Sequence, residues 1–224
     1  MKVLIACEES QATCKEFRKL GHEAYSCDLL NCSGGYSEWH IKGDALKEAY
    51  SGKYDLMVAH PPCTYLAVSG ARWLYNKDGS KNTERWINQE EALDFVRKLL
   101  NAPIKHIALE NPISVISSHI KKPNQIVQPY MFGDEAQKST CLWLKNLPLL
   151  KATNIVGKGE FIEFIGKDGK KKKQPKWYFD ALVNAKTTEE RRTLRSKTFP
   201  GMAKAMAKQW SDLKHFYNQS KLEL

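Results

Sequence analysis

Asp55-Leu-Met-Val-Ala-His-Pro-Pro-Cys-Thr-Tyr-Leu-Ala-Val-Ser-Gly70 is an apolar run that stops abruptly at two prolines and a cysteine. A buried strand ends this way when it delivers a side chain to a loop at the edge of a sheet. Cys63 therefore reads as presented rather than packed. Cysteine is also among the most buried residue types, and the bland reading is a small core residue near a turn. Two rigid residues ahead of Cys63 serve little purpose in apolar packing, which weighs the reading toward function.

Upstream, Lys2-Val-Leu-Ile-Ala6 has four apolar residues in a row, as in a strand of a parallel sheet covered on both faces. Ser10 is placed to cap a helix whose apolar positions Cys14, Phe17 and Leu20 recur every three residues, with Gly21 as its stop. His22 to Asp28 reads as a second strand ending in an acid. This is a βαβ unit, and dinucleotide-type folds hold ribose hydroxyls with an acid in that place. The first turn, Cys7-Glu-Glu-Ser-Gln11, lacks glycine and so offers no close approach to a pyrophosphate. A ligand ending in a neutral or cationic amino-acid group suits it better, with Glu8 or Glu9 as partner; equally, both acids sit where a helix dipole favours them. Asp44, ahead of a short helical pattern, can reach an adenine amine or cap that helix. A strand over Tyr54 to Ala59 brings Cys63 to the carboxyl edge beside Asp28 and the turn after Ala6, where open α/β sheets form their ligand crevice.

Downstream, the polar stretch from Leu74 to Trp86 reads as a mobile loop of the kind that closes over a substrate. Gln89 to Asn101 is an amphipathic helix. Lys105-His-Ile-Ala-Leu-Glu-Asn-Pro112 repeats the design of the first stretch, delivering Glu110 and Asn111 to a proline-bounded loop. A carboxylate at the end of a buried strand is costly unless it is paired or faces a ligand. Gln125–Phe132 and Thr140–Leu144 read as two more strands, a candidate hairpin. The whole is an α/β fold: a Rossmann-like, mostly parallel sheet flanked by helices, with a small basic C-terminal lobe.

The formal net charge of +10 is unevenly placed. Residues 1–144 carry 17 basic and 17 acidic side chains, and residues 145–224 carry 18 and 8. A neutral body with a basic end suggests a catalytic core and an anion-facing surface, nucleic acid being the usual partner. Glu160 to Pro175 reads as a strand, a turn at Asp168-Gly169 and the run Lys170-Lys-Lys-Lys173; beyond it come Trp177, Tyr178 and Phe179. Thr187 to Arg195 is a basic helix, and Pro200 to Phe216 another, with an apolar stripe that includes Met206, Trp210 and Leu213. The six cysteines form no CxxC pair and no zinc spacing with the histidines, so neither a metal site nor a disulfide framework is expected. Met1 to Ala6 is too short for a secretory leader and no apolar run nears 18 residues. The expectation is a reducing cytoplasm, no membrane, and a monomer or weak dimer.

A cysteine at one strand end and a glutamate at another suggest covalent catalysis on an electrophilic ring. In pyrimidines C6 accepts a thiolate, which makes C5 a carbon nucleophile, and a carboxylic acid at N3 relieves the developing charge. A basic lobe would hold the polynucleotide while the base is flipped.

These residues resemble those of DNA cytosine-5 methyltransferases, in particular the short phage-type members, by ordered motifs over most of the chain. Pro62-Cys63 followed by Ser69-Gly70 is similar to the catalytic Pro-Cys loop, and Glu110-Asn111 to the Glu-Asn motif that binds the target cytosine. Thr198-Phe-Pro-Gly-Met-Ala203 resembles the late segment that packs beside the cofactor. The resemblance implies S-adenosylmethionine as donor and DNA as partner, with Cys63, Glu110, Asn111 and Lys138 as catalytic residues. It implies cofactor contacts from Ala6, Cys7, Glu8 and Ser10 in the first turn, from Asp28 and Leu29 at the ribose, from Asp44 and Ala45 near the adenine, and from His60 and Pro61. DNA contacts fall to Arg72, to Lys170, Lys171, Lys172 and Lys173, and to Arg191, Arg192 and Arg195. Residues 1–144 would be the cofactor-binding core, 145–198 a small target-recognition region, and 199–224 a helix packing back on the core.

The departures are the glycine-free first turn and the absence of a Gln-x-Arg-x-Arg segment, for which Gln137-Lys138 is the nearest match; Lys138 offers a point charge in place of a fork. A large recognition domain is missing too, which implies a short target sequence or little preference. Two other readings stand beside this one. His60-Pro-Pro-Cys-Thr-Tyr65 also resembles the Asp/Asn-Pro-Pro-aromatic motif of N4-cytosine and N6-adenine amino-methyltransferases, and a non-catalytic nucleic-acid-binding protein could keep the same fold.

Overall fold

The structure is a computed structural model and describes residues 1–166 and 168–213, with the side chains of Glu189 and Arg192 left aside. Its centre is β1 (Lys2–Ala6), flanked by β2 (Glu23–Asp28) and β4 (Leu56–Ala59). With β3 (His40–Lys42), β5 (His106–Pro112), β6 (Gln125–Val127) and β7 (Thr140–Lys145) they make a seven-stranded sheet of order β3-β2-β1-β4-β5-β7-β6. The first five strands pair in parallel, while β7 runs antiparallel to both β5 and β6. This is an α/β fold built on one mixed sheet of seven strands with helices on both faces. Strand order reverses between the parallel strands β1 and β4, the chain adding β2 and β3 on one side and then β4 and β5 on the other, which opens the crevice at their carboxyl ends.

Alternation along β1 sorts the core into two layers. Val3 and Ile5 point to one face, where they pack with Cys14 and Phe17 of α1 (Ala12–Lys19) and with Met206 and Trp210 of α7 (Pro200–Trp210). Leu4 and Ala6 point to the other, beneath α2 (Ala45–Ala49), α3 (Thr83–Leu100) and α4 (Ile116–His119). All four of these β1 side chains are fully buried, which is why the strand reads as a continuous apolar run. A second sheet holds only the antiparallel hairpin of β8 (Phe161–Ile165) and β9 (Lys171–Pro175), and α5 (Lys176–Val183) and α6 (Thr188–Ser196) follow it.

Several local expectations are corrected. Ser10 does not cap α1: the N-cap is Gln11, whose side chain makes no capping bond, and the buried Glu8 carboxylate instead accepts from Thr13 N at 2.7 Å and Cys14 N at 3.1 Å. The polar stretch 74–86 is not one long loop. Asn82 accepts from Arg85 N at 3.1 Å and starts α3 at Thr83, six residues before the apolar stripe becomes visible. The strand expected over Gln125–Phe132 ends at Val127, because Pro129 opens a helical turn that cannot continue a ladder. Glu110 and Asn111 lie within β5, paired to Leu142 and Cys141, rather than in a loop beyond it. The lysine run extends into β9, and the aromatic stretch after it is α5, held by the Lys176–Asp180 pair at 2.7 Å. The final helix ends at Trp210 with Ser211 as its C-cap, short of the expected Phe216, and residues 214–216 lie outside the described residues.

Helix α7 starts against the turn that follows β6. Gly201 N donates to Asp134 Oδ2 at 2.9 Å, and a Cβ at Gly201 would run into the Phe132 carbonyl oxygen. Gly201→Ala is expected to lower stability by roughly 1–3 kcal/mol, as overpacking against fixed backbone does. Thermal unfolding checks this, with Lys204→Ala on the exposed side of the same helix as a near-neutral control.

Candidate active site

Two non-glycine residues in the first turn, Cys7 (φ 61°) and Gln11 (φ 59°), adopt the left-handed backbone that glycine would take without strain. Their neighbours hold them there. Cys7 N donates to Cys27 O at 2.8 Å, while the Gln11 amide donates to Tyr36 O at 2.8 Å and accepts from Tyr36 N at 3.1 Å. Asp28 at the end of β2 and Asp44 after β3 converge on this turn. Burial pushes the Cys7 thiol far up, and the charges of Asp28 and Asp44 add to the shift. Each acid keeps one oxygen on a backbone N–H, Asp28 on Leu30 at 2.9 Å and Asp44 on Leu46 at 2.8 Å, so Asp44 is the cap of α2. Leu29 beside them is 73% exposed, while Ala6 and Ala45 are core residues.

The parallel register puts Ala59 opposite both Ala6 and Leu109, so His60 and Glu110 emerge side by side. His60 Nδ1 lies 3.1 Å from Glu110 Oε2, with the side chains only 10% and 14% exposed. On its other side His60 Nε2 lies 3.4 Å from Thr13 Oγ1. Burial pushes the imidazole down, but the hydrogen bond and charge of Glu110 and the charge of Glu8 outweigh it, and the net shift is upward. Glu110 moves the opposite way. Burial raises it, yet the His60 bond and the Lys138 and His60 charges bring it below the ordinary carboxyl value. Glu8 remains raised, chiefly by burial.

Cys63 follows on the same rim, half-buried and free. Burial and the Glu110 charge raise its thiol, opposed by Lys138 and Arg195. The loop carrying it is pinned. Cys63 O accepts from Leu66 N and Ala67 N at 3.0 and 2.9 Å, while Arg85 and Gln89 of α3 donate to Thr64 O at 2.6 Å and Tyr65 O at 2.9 Å. Asn111 is 1% exposed and donates to Pro61 O at 2.9 Å, tying the proline loop to β5, while its Oδ1 is buried with no hydrogen-bond partner among the described residues.

The basic lobe reaches this rim. Lys138 Nζ donates to Lys197 O at 3.3 Å, and Trp177 Nε1 to Gln137 O at 3.2 Å. Arg195 stacks its guanidinium 4.4 Å from the Tyr178 ring, with its Nε buried and lacking a hydrogen-bond partner among the described residues. A cleft of about 160 Å³ separates Cys7, Glu8, Glu9, Ser10, Ser33 and His60 from Thr193, Ser196, Lys197 and Thr198 at the end of α6. No local sequence signal marks Thr13 or the α6 end for this place; only the fold brings them in.

Arg72, the hairpin lysines and Arg191 are exposed on the surface. Arg72 is exposed on the helical turn Val68–Leu74, 4.6 Å from the ring of Trp73. Lys170, Lys171, Lys172 and Lys173 are exposed on the hairpin, with Lys172 paired to Asp168 at 3.2 Å. Arg191 is exposed on α6, and the Arg192 side chain lies outside the described residues. Among the described residues no helix is long and apolar enough to cross a membrane, and no group of three or more His, Cys, Asp or Glu could hold a metal.

No protein-family model and no curated protein matches the chain. Among solved structures it is similar to one described as a candidate DNA modification methyltransferase encoded within a prophage (E. coli), at 11% sequence identity and a TM-score of 0.42, over 87% of this chain and 69% of the other.

The His60–Glu110 pair gives a pH signature. The raised His60 contributes stability that is complete below the free imidazole value of 6.5 and is lost as pH rises through the higher folded value. The lowered Glu110 contributes stability present above 4.5 and lost as pH falls through its folded value. The stability difference between the wild type and His60→Gln is therefore greatest between those two values, at about 3 kcal/mol, and narrows on either side. Denaturant titrations across this range check it.

Proposed function

We propose that the protein is an S-adenosylmethionine-dependent methyltransferase that acts on C5 of cytosine in DNA, with Cys63 as nucleophile. The observation that carries this reading is the placement of Cys63 and Glu110 at adjacent strand ends, close enough for the Glu110 charge to bear on the thiol, with Lys138 acting on both and Arg195 on Cys63.

The residues present fit the donor. Asp28 and Asp44 each keep a carboxylate oxygen beyond the one on backbone, suited to ribose hydroxyls and an adenine amine, with exposed Leu29 beside them for an apolar ring. Among the described residues lining the cleft at Cys7–Ser10, Lys197 is the one lysine or arginine, beside Glu8 and Glu9, a lining that suits an amino-acid group better than a diphosphate. When bound, S-adenosylmethionine supplies the methyl group.

The chain's own residues do the rest. The Cys63 thiol gives its proton to solvent, and the thiolate bonds to C6 as the C5–C6 electron pair moves to C5. Lys138 and Arg195 favour that thiolate, and an incoming phosphate backbone meets Arg72, the hairpin lysines and Arg191 as counter-charges. Glu110 meets N3 of the flipped base, and Asn111 keeps the Pro61-Pro62 loop, and hence Cys63, in register with it. After transfer, loss of the C5 proton and breakage of the C6–S bond restore the ring and the thiolate. In this reading residues 145–198 supply the target contacts and, through α6, one wall of the donor's cleft. The amino-methyltransferase alternative needs the residue before the prolines to hold the target amine; His60 is engaged by Glu110 and Thr13.

Incubation with DNA and labelled S-adenosylmethionine, followed by digestion and mass identification of the nucleosides, is expected to yield 5-methylcytosine. Cys63→Ser should lower the yield by at least about a hundredfold. N4-methylcytosine or N6-methyladenine would instead establish amino-group chemistry, and salt-dependent DNA binding without label would leave a binding module.

A further inference from the structure

A base-facing carboxyl group that assists at N3 must have a proton to give, yet Glu110 in this structure is set up as a carboxylate. It accepts from His60 at 3.1 Å and lies in the field of Lys138. The proton is next door. His60 is held between two carboxylates, Glu110 on its Nδ1 side and Glu8 beyond Thr13 on its Nε2 side, and all three are nearly removed from solvent. Glu8 cannot turn away, because both its oxygens are fixed on the first backbone N–H groups of α1.

We propose that His60 is a positioning residue that holds the proton used at N3 and delivers it through Glu110. This rests on the cytosine-5 reading above. As the Cys63 sulfur bonds to C6, the His60 Nδ1 proton passes to the Glu110 carboxylate and a proton passes from that same carboxyl group to N3. The Nδ1–H bonding pair stays on the imidazole, which becomes neutral, and Glu110 ends as it began. When the C6–S bond breaks, the N3 proton returns to Glu110 and His60 is recharged.

The groups around the pair are compatible with this traffic. Glu8 comes from the first turn, Thr13 from α1, Cys63 from the β4 loop, Lys138 from the segment before β7 and Cys141 from β7 itself; Arg195 reaches in through Cys63. Glu8 and Glu110 against His60 and Lys138 make a charge-balanced set. Loss of the His60 proton leaves it one charge negative, which favours the proton's return.

The test compares wild type and His60→Gln, since glutamine can still donate a hydrogen bond to Glu110 but cannot store a proton. Methyl transfer to cytosine is followed against pH, and ¹⁵N resonances of the His60 ring are titrated in the intact wild-type protein. The expected wild-type profile contains an ionisation above the free imidazole value of 6.5, matched by the His60 ring titration. In His60→Gln that ionisation moves at least about one unit lower, and at pH 8 the rate falls about tenfold per unit of movement. If both proteins turn over with the same profile, the relay is overturned while the proposed function stands. A His60 ring that stays neutral from pH 6 upward overturns it even if the variant fails to fold. Absence of any transfer by the wild type overturns the cytosine-5 reading and the relay with it.

Discussion

Parallel pairing of β4 with β5 sets Ala59 against Leu109, and from that register follows the contact of His60 with Glu110. Neither side chain would be stable in its place alone. A buried carboxylate and a buried imidazolium each lose hydration worth several kcal/mol, and the loss is recovered only by close, hydrogen-bonded pairing. The pair in turn depends on the backbone on both sides: Asn111 anchors the Pro61 carbonyl, and His60 N donates to Ala6 O at 2.9 Å. One strand register thus fixes the Cys63 loop, the Glu110 carboxylate beside it and the wall of the first turn.

The basic lobe is electrically distinct from the core but does not stand apart from the site. Lys138, beside the lobe, and Arg195, within it, oppose the influence of burial and of Glu110 on the Cys63 thiol, so the lobe's charge is felt at that side chain. Trp177, docked on Gln137 O and edge-on to Phe199 at 5.4 Å, ties the lobe to the start of α7. Movement of α6 would change both the cleft it lines and the field at Cys63.

Much of the fold was legible because burial is written directly into composition. The runs Val3–Ala6 and Leu56–Ala59, and the apolar spacing of α1, leave few alternatives, and two proline-bounded strand ends announced Cys63 and Glu110. What stayed hidden has physical causes. Three-residue β3 is too short to show a period, α3 begins with polar residues that rely on the Asn82 cap, and the lysine run of β9 carries no apolar alternation. At the site, Glu8, left open between a ligand acid and one placed for the helix dipole, is buried and accepts from the first turn of α1, while the neighbourhood of Thr13, His60 and the α6 end arises from long-range packing that no local spacing encodes.

The central claim is that Cys63 bonds covalently to C6 of a cytosine. A duplex with 5-fluorocytosine tests it most directly, because after methyl transfer C5 has fluorine in place of the proton that must leave, and the C6–S bond cannot break. Incubation with this DNA and S-adenosylmethionine, followed by denaturing electrophoresis and peptide mass analysis, should show the methylated base linked to Cys63. Turnover of ordinary DNA without any such adduct, or an adduct on a different residue, would contradict the account.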